Sequence, residues 1–224
     1  MLGSFNGADV NSLCRQGGEV GEEEFVRCTS PDVLPYIVGL TGGIASGKST
    51  ISGMLKEEGC EIVDCDKLGH RAYLKGSETF KRVVEAFGSQ VVDPSSGEID
   101  RRSLASIVFG DAEQMKVLNG IVWPAIRELA VEEMKGMRER GVELCVMEAA
   151  VLLEACWDDF VDEVWTVIVP EEKSKERLMK RNNISEEDAK KRISAQMTNQ
   201  DRMKRSDIII SNEWDTEQTN QQVK

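Results

Sequence analysis

The segment 37–50, IVGLTGGIASGKST, constrains this 224-residue chain more than any other. Four apolar-leaning residues run into glycines, then into a lysine and two hydroxyls. A short apolar run followed by glycine and then by hydroxyl residues reads as a buried strand, a tight loop and the first turn of a helix. Gly42-Gly43-Ile44-Ala45-Ser46-Gly47-Lys48-Ser49 matches G-x-x-x-x-G-K-[ST] in full. Glycine serves where the backbone takes positive φ or must come close to a ligand. The amides of such a loop and the helix N-terminus behind it converge on phosphate oxygens. Lys48 would neutralise charge spreading over a transferring group, Ser49 would offer its hydroxyl to Mg²⁺, and Thr50 continues the first turn. Residues 42–50 are therefore expected to hold a nucleoside triphosphate.

Around that loop the chain alternates strand and helix signals. Residues 36–41, 61–65, 143–148, 163–169 and 207–211 read as five strands. A helix at 49–58 is closed by Gly59, and 67–141 is mostly helical, broken by the turn-rich loop DPSSGEID. Charged helices fill 171–205. The pattern predicts an α/β fold with a parallel sheet. Residues 1–35 are rich in Gly, Ser and acids without a sustained period, and read as a flexible leader or linker. A helix signal still running at Lys224 suggests an excised or incomplete chain.

Composition removes several function classes. A hydrophobic fraction of 40% suits a globular protein. No apolar run approaches the roughly 18 residues of a membrane span. The first thirty residues lack a signal core, and Glu22-Glu23-Glu24 argues against a basic transit peptide, so a cytoplasmic protein is expected, with mitochondrial association left open. Cysteines at 14, 28, 60, 65, 145 and 156 form no C-x-x-C pair and are expected to be reduced. His70 stands alone, which removes a His-rich zinc site. A net charge of −12 argues against a general nucleic-acid binder. Residues 171–205 nonetheless carry 11 Lys and Arg against 7 Asp and Glu, a local +4 that suits a specific anionic ligand or a solvated helical surface.

A second motif has to say what receives the phosphate. No N-K-x-D guanine reader is present, and the D-x-x-G of Asp66-Lys67-Leu68-Gly69 follows the loop too soon for a GTPase switch. The second strand instead ends in Asp64-Cys65-Asp66. Ligands of open parallel sheets gather at the carboxyl ends of strands. Alternation along an extended segment would put Asp64 and Asp66 on one side, where an acid can take the proton of an attacking hydroxyl. Asp66 could also cap the helix that follows. Glu148 ends the third strand, placed for a water-mediated Mg²⁺ contact or as a plain polar strand end. Arg177 and Arg181, four apart, share a helix face that a lid would bring onto the nucleotide's phosphates. Lys173 and Lys180 either join them or are solvated. Arg202, beyond Ala195-Gln196, is expected to reach the same nucleotide pocket.

In sequence order these features resemble the dephospho-coenzyme A kinases, and among them the kinase domain of animal bifunctional coenzyme A synthases. The resemblance runs from about residue 36 to the end. It rests on GLTGGIASGKST, DCDKLGHRAY, VVEAFG, GEIDRRSL, VFG, IVWPAI, LLEA and RLMKRN. It implies a P-loop nucleoside triphosphate hydrolase/kinase fold: a five-stranded parallel sheet flanked by helices, a helical substrate-binding insertion at about 71–127 and a helical lid at about 171–188. It implies transfer of the γ-phosphoryl group of ATP, with Mg²⁺, to the ribose 3′-hydroxyl of dephospho-CoA, giving CoA and ADP. Asp66 becomes the catalytic base and Arg181 the lid arginine on the transferring group. Bacterial members usually carry His-Pro where this chain has Trp123-Pro124, and their D-x-P-L-L-F-E reads Glu148-Ala149-Ala150-Val151-Leu152-Leu153-Glu154 here. Ala45 replaces a common glycine, so position 45 is expected to do without positive φ. In the animal enzyme an adenylyltransferase domain precedes the kinase; this chain has no room for one, so a fused or associated partner domain is an expectation. The competing readings are a small-molecule kinase with another hydroxyl acceptor, and an ATP-binding regulatory module without catalysis.

Overall fold

The computed structural model describes residues 33–224, so all but the last three residues of the expected leader lie outside the described residues. Five strands, β1 (Tyr36–Gly42), β2 (Glu61–Asp64), β3 (Leu144–Glu148), β4 (Glu163–Ile168) and β5 (Ile208–Ser211), form one sheet in the order β2-β3-β1-β4-β5. β1 pairs in parallel with β3 and β4, and β4 with β5. The described helices are α1 (Lys48–Glu57), α2 (Cys65–Arg71), α3 (Glu78–Phe87), α4 (Arg101–Val108), α5 (Ala112–Glu139), α6 (Glu171–Asn182), α7 (Glu186–Ser194), α8 (Asn199–Lys204) and α9 (Thr216–Val223).

Two compact units divide the described residues, one of 33–63 and 134–224, the other of 64–133. In the first, β1 is the central strand and is buried on both faces after Tyr36, which is why it reads as an apolar run rather than an alternation. On one face Val38, Leu40, Val146, Val167 and Ile210 pack against Ile51, Met54 and Leu55 of α1 and Val223 of α9. The i, i+3, i+4 spacing on α1 makes that apolar stripe. On the other face Gly39 leaves room for Leu152 and Val161; a Cβ there would stand 2.6 Å from Leu152 Cδ1.

The 64–133 unit is helical, built from α2, α3, α4 and most of α5. Ser77 caps α3 by accepting the Phe80 amide at 3.0 Å, and Asp100 caps α4 by accepting the Arg102 amide at 2.9 Å. The turn-rich loop before α4 is closed by an isolated antiparallel bridge between Val92 and Ile99.

Cys60 and Cys145 are free thiols, and burial pushes the Cys145 thiol up to about 12, with Asp162 and Glu61 adding to it.

Candidate active site

β1 delivers the glycine loop to the N-terminus of α1. Gly47 is the N-cap of that helix, in the left-handed region at φ 94°, ψ 25°. The side-chain amide of Asn212 fills the space a Cβ at Gly47 would need, so this position is closed to any side chain. At Gly42 a Cβ would meet the Val167 carbonyl oxygen at 2.5 Å and Ser46 Oγ at 2.7 Å. α1 has no side-chain cap and no acid in its first turn. Its leading amides and positive dipole end therefore face outward without an internal anion, as an anion-binding helix N-terminus requires. Ser46 Oγ is buried and has no hydrogen-bond partner among the described residues.

Ala45 corrects an expectation. Its φ is +58°, so the position does take the left-handed conformation that glycine adopts freely. The chain carries a Cβ there at a cost of roughly 1–2 kcal/mol.

Ser49 Oγ donates to Glu148 Oε1 at 3.1 Å. Parallel register sets Glu148 beside Leu40, so the carboxylate ends β3 at the loop's side of the sheet, and it is buried. A hydroxyl and a carboxylate side by side next to a phosphate cradle are the hard oxygen donors Mg²⁺ takes, one or two from protein and the rest from phosphate and water. These residues fit Mg²⁺.

The outer side of the loop is held by residues that the sequence reading did not single out. Gln196 Oε1 accepts from the Ile44 amide at 2.7 Å, and Ser174 Oγ donates to the Ile44 carbonyl at 2.5 Å. Asn212 Nδ2 donates to the Ser46 carbonyl at 2.7 Å, and the Asn212 carbonyl accepts from Arg177 Nη2 at 2.9 Å. A lone Ser, Gln or Asn has no local signature; the one available signal was that Asn212 follows the carboxyl end of β5.

Of the two α6 arginines, Arg177 meets this network and Arg181 does not. Arg181 is exposed in the last turn of α6, its Nε donating to Asn182 Oδ1 at 2.9 Å. Lys173 is exposed and donates to the Glu213 carbonyl at 2.5 Å. Arg202 is a second correction. It is fully buried rather than open at the surface, with Nη2 on Glu154 Oε1 at 2.7 Å. The reason is packing: α8 turns Arg202 inward, and among the described residues Glu154 offsets the buried charge.

The two acids after β2 also depart from expectation. The strand stops at Asp64, and Cys65 already opens α2, so Asp64 and Asp66 are not on one side of an extended segment. Asp64, rather than Asp66, caps α2: its Oδ1 accepts the Lys67 amide at 3.0 Å, and Oδ2 pairs with Lys67 Nζ at 2.8 Å. Partial burial pushes the Asp64 carboxyl up, but the bonds from Lys67 and the Asp66 amide outweigh it and hold the carboxyl below its ordinary value. Asp66 lies exposed in the first turn of α2.

A parallel five-stranded sheet with a phosphate loop after its central strand and a Ser–carboxylate pair at its carboxyl edge defines a P-loop phosphotransferase. Residues 36–218 match the family model described as dephospho-CoA kinase. A dephospho-CoA kinase from Carboxydothermus hydrogenoformans is 40% identical over 85% of this chain and 92% of its own length. One from Geobacter sulfurreducens is 40% identical over 84% of this chain and 94% of its own. Among solved structures, TT1252 from Thermus thermophilus superposes with a TM-score of 0.72 at 31% identity, covering 84% of this chain and 94% of that one. The dephospho-CoA kinase from Campylobacter jejuni gives 0.62 at 26%, covering 84% and 92%. The chain belongs to the dephospho-CoA kinase family.

Proposed function

We infer that this chain transfers the γ-phosphoryl group of ATP to the ribose 3′-hydroxyl of dephospho-CoA, the last step of CoA biosynthesis. The observation that carries the reading is the phosphate loop with its Ser49–Glu148 pair, in a chain of this family. The loop amides and Lys48 bind the β- and γ-phosphates and hold the terminal phosphorus for in-line attack. Ser49 would hold Mg²⁺ directly and Glu148 through water; when bound, the ion supplies neutralisation of the phosphate charge.

Asp66 is the base in this reading: its carboxylate takes the proton of the 3′-hydroxyl as that oxygen bonds to phosphorus. The bond from phosphorus to the β–γ bridging oxygen breaks, and ADP leaves with the electron pair. Arg181 stabilises the charge on the transferring group, and Arg177 braces the loop through Asn212. Asp64 supports Asp66 by capping α2 rather than by taking a proton. The 64–133 unit would receive dephospho-CoA, and α6 with the start of α7 would act as the lid. A cytoplasmic location suits a chain in which no described helix is long and apolar enough to cross a membrane.

The position of the new phosphate tests the assignment. In ³¹P NMR of product made from Mg-ATP and dephospho-CoA, a new phosphomonoester coupled to the ribose 3′ proton is expected. Phosphate at another hydroxyl, or none, refutes it.

A further inference from the structure

The backbone of Ile44, in the middle of the phosphate loop, is held through both its amide and its carbonyl. Its amide donates to Gln196 Oε1 at 2.7 Å, and its carbonyl accepts from Ser174 Oγ at 2.5 Å. Gln196 comes from the connection between α7 and α8, whereas Ser174 lies in the first turn of α6 and is buried. α6 is therefore bonded to the loop by a side chain no catalytic step uses. The same helix carries Arg177, whose Nη2 donates to the Asn212 carbonyl, and Leu178, which is fully buried. Residues 174, 177, 178 and 181 follow i, i+3, i+4, i+7 and form one helix face. Arg181 stands about 10 Å further along the axis than Ser174 and within about 20° of it around the helix.

We propose that Ser174 is a positioning residue: it registers α6 against the phosphate loop and so sets where Arg181 projects. This rests on the reading of Arg181 as the residue acting on the transferring phosphoryl. The backbone between Ser174 and Arg181 is continuous helix, so a shift of α6 at Ser174 moves the arginine with it. Arg177 and Leu178 fix the helix sideways; among the described residues the Ser174 bond is the one that ties it to the loop's own backbone. Misplacement of a charged group by about 1 Å costs up to 10²-fold in rate.

The test is a cycle of Ser174→Ala, Arg181→Ala and the double variant, with Ser174→Thr keeping the hydroxyl. Ser174→Ala is expected to lower kcat about tenfold while KM for ATP stays within about twofold. Ser174→Thr is expected to restore kcat. In the Arg181→Ala background, Ser174→Ala is expected to add less than about a twofold further loss, because there is no arginine left to misplace. A full further tenfold loss in that background, or an unchanged kcat in Ser174→Ala beside an impaired Arg181→Ala, overturns the proposal. A wild-type kcat in Arg181→Ala instead removes the Arg181 reading, and this inference with it.

Discussion

Replacing Ala45 by glycine tests whether the loop stores backbone strain. Ala45 sits at φ +58° with a Cβ, a conformation that costs a non-glycine residue roughly 1–2 kcal/mol. Glycine removes that cost but enlarges the unfolded ensemble, which takes back about 0.4–1 kcal/mol. Mid-range values leave a balance of about 0.8 kcal/mol in favour of Ala45→Gly, between limits of about 0 and 1.6. For a chain of this size each kcal/mol moves Tm by about 2–4 °C, so a rise of about 1–4 °C is expected in calorimetry. Urea unfolding of the same pair should show a higher midpoint with an unchanged slope. A lower midpoint at the same slope would mean that the alanine is unstrained in the protein, and the strain argument at position 45 would be wrong.

Three further outcomes follow from the site. Asp66→Asn should lower turnover at least about tenfold with ATP affinity nearly unchanged, and near-normal turnover would remove Asp66 as the base. Arg202→Leu should destabilise the fold by about 3–5 kcal/mol by stranding Glu154, and Arg202→Leu with Glu154→Leu should recover most of that; equal losses in single and double variants would contradict the buried pair as described. Asp64→Asn keeps a capping side chain but loses the charge. Because the folded carboxyl of Asp64 is held low, its contribution is present above the unfolded value of about 3.9 and is lost as pH falls through the folded one. Denaturation curves of the two proteins should therefore differ at pH 7 and converge as pH falls through the folded value; a constant gap down to that acid range would exclude the charge as the source.

The parallel sheet and the phosphate loop were legible because each rests on a local pattern. β1 is an apolar run bounded by Gly42, and α1 begins at Lys48 as the motif requires. β2 was one residue too long in the sequence reading, and that single residue changed the site. Extending the strand to Cys65 made Asp64 and Asp66 equivalent, whereas the cap on the Lys67 amide gives them separate tasks. The braces on the loop were not legible: Ser174, Gln196 and Asn212 lie 130, 152 and 166 residues from their partners. Arg202 misled for a related reason. An arginine in a basic segment reads as a ligand for an anion, and only the fold reveals Glu154 beside it.

The central claim is acceptor-dependent phosphoryl transfer, and the most direct measurement is ADP release from Mg-ATP with and without dephospho-CoA, with adenosine and pantetheine as controls. The account predicts release only with dephospho-CoA, and CoA formed in equal amount. ADP release that ignores dephospho-CoA, or ATP binding with no release in its presence, would contradict it.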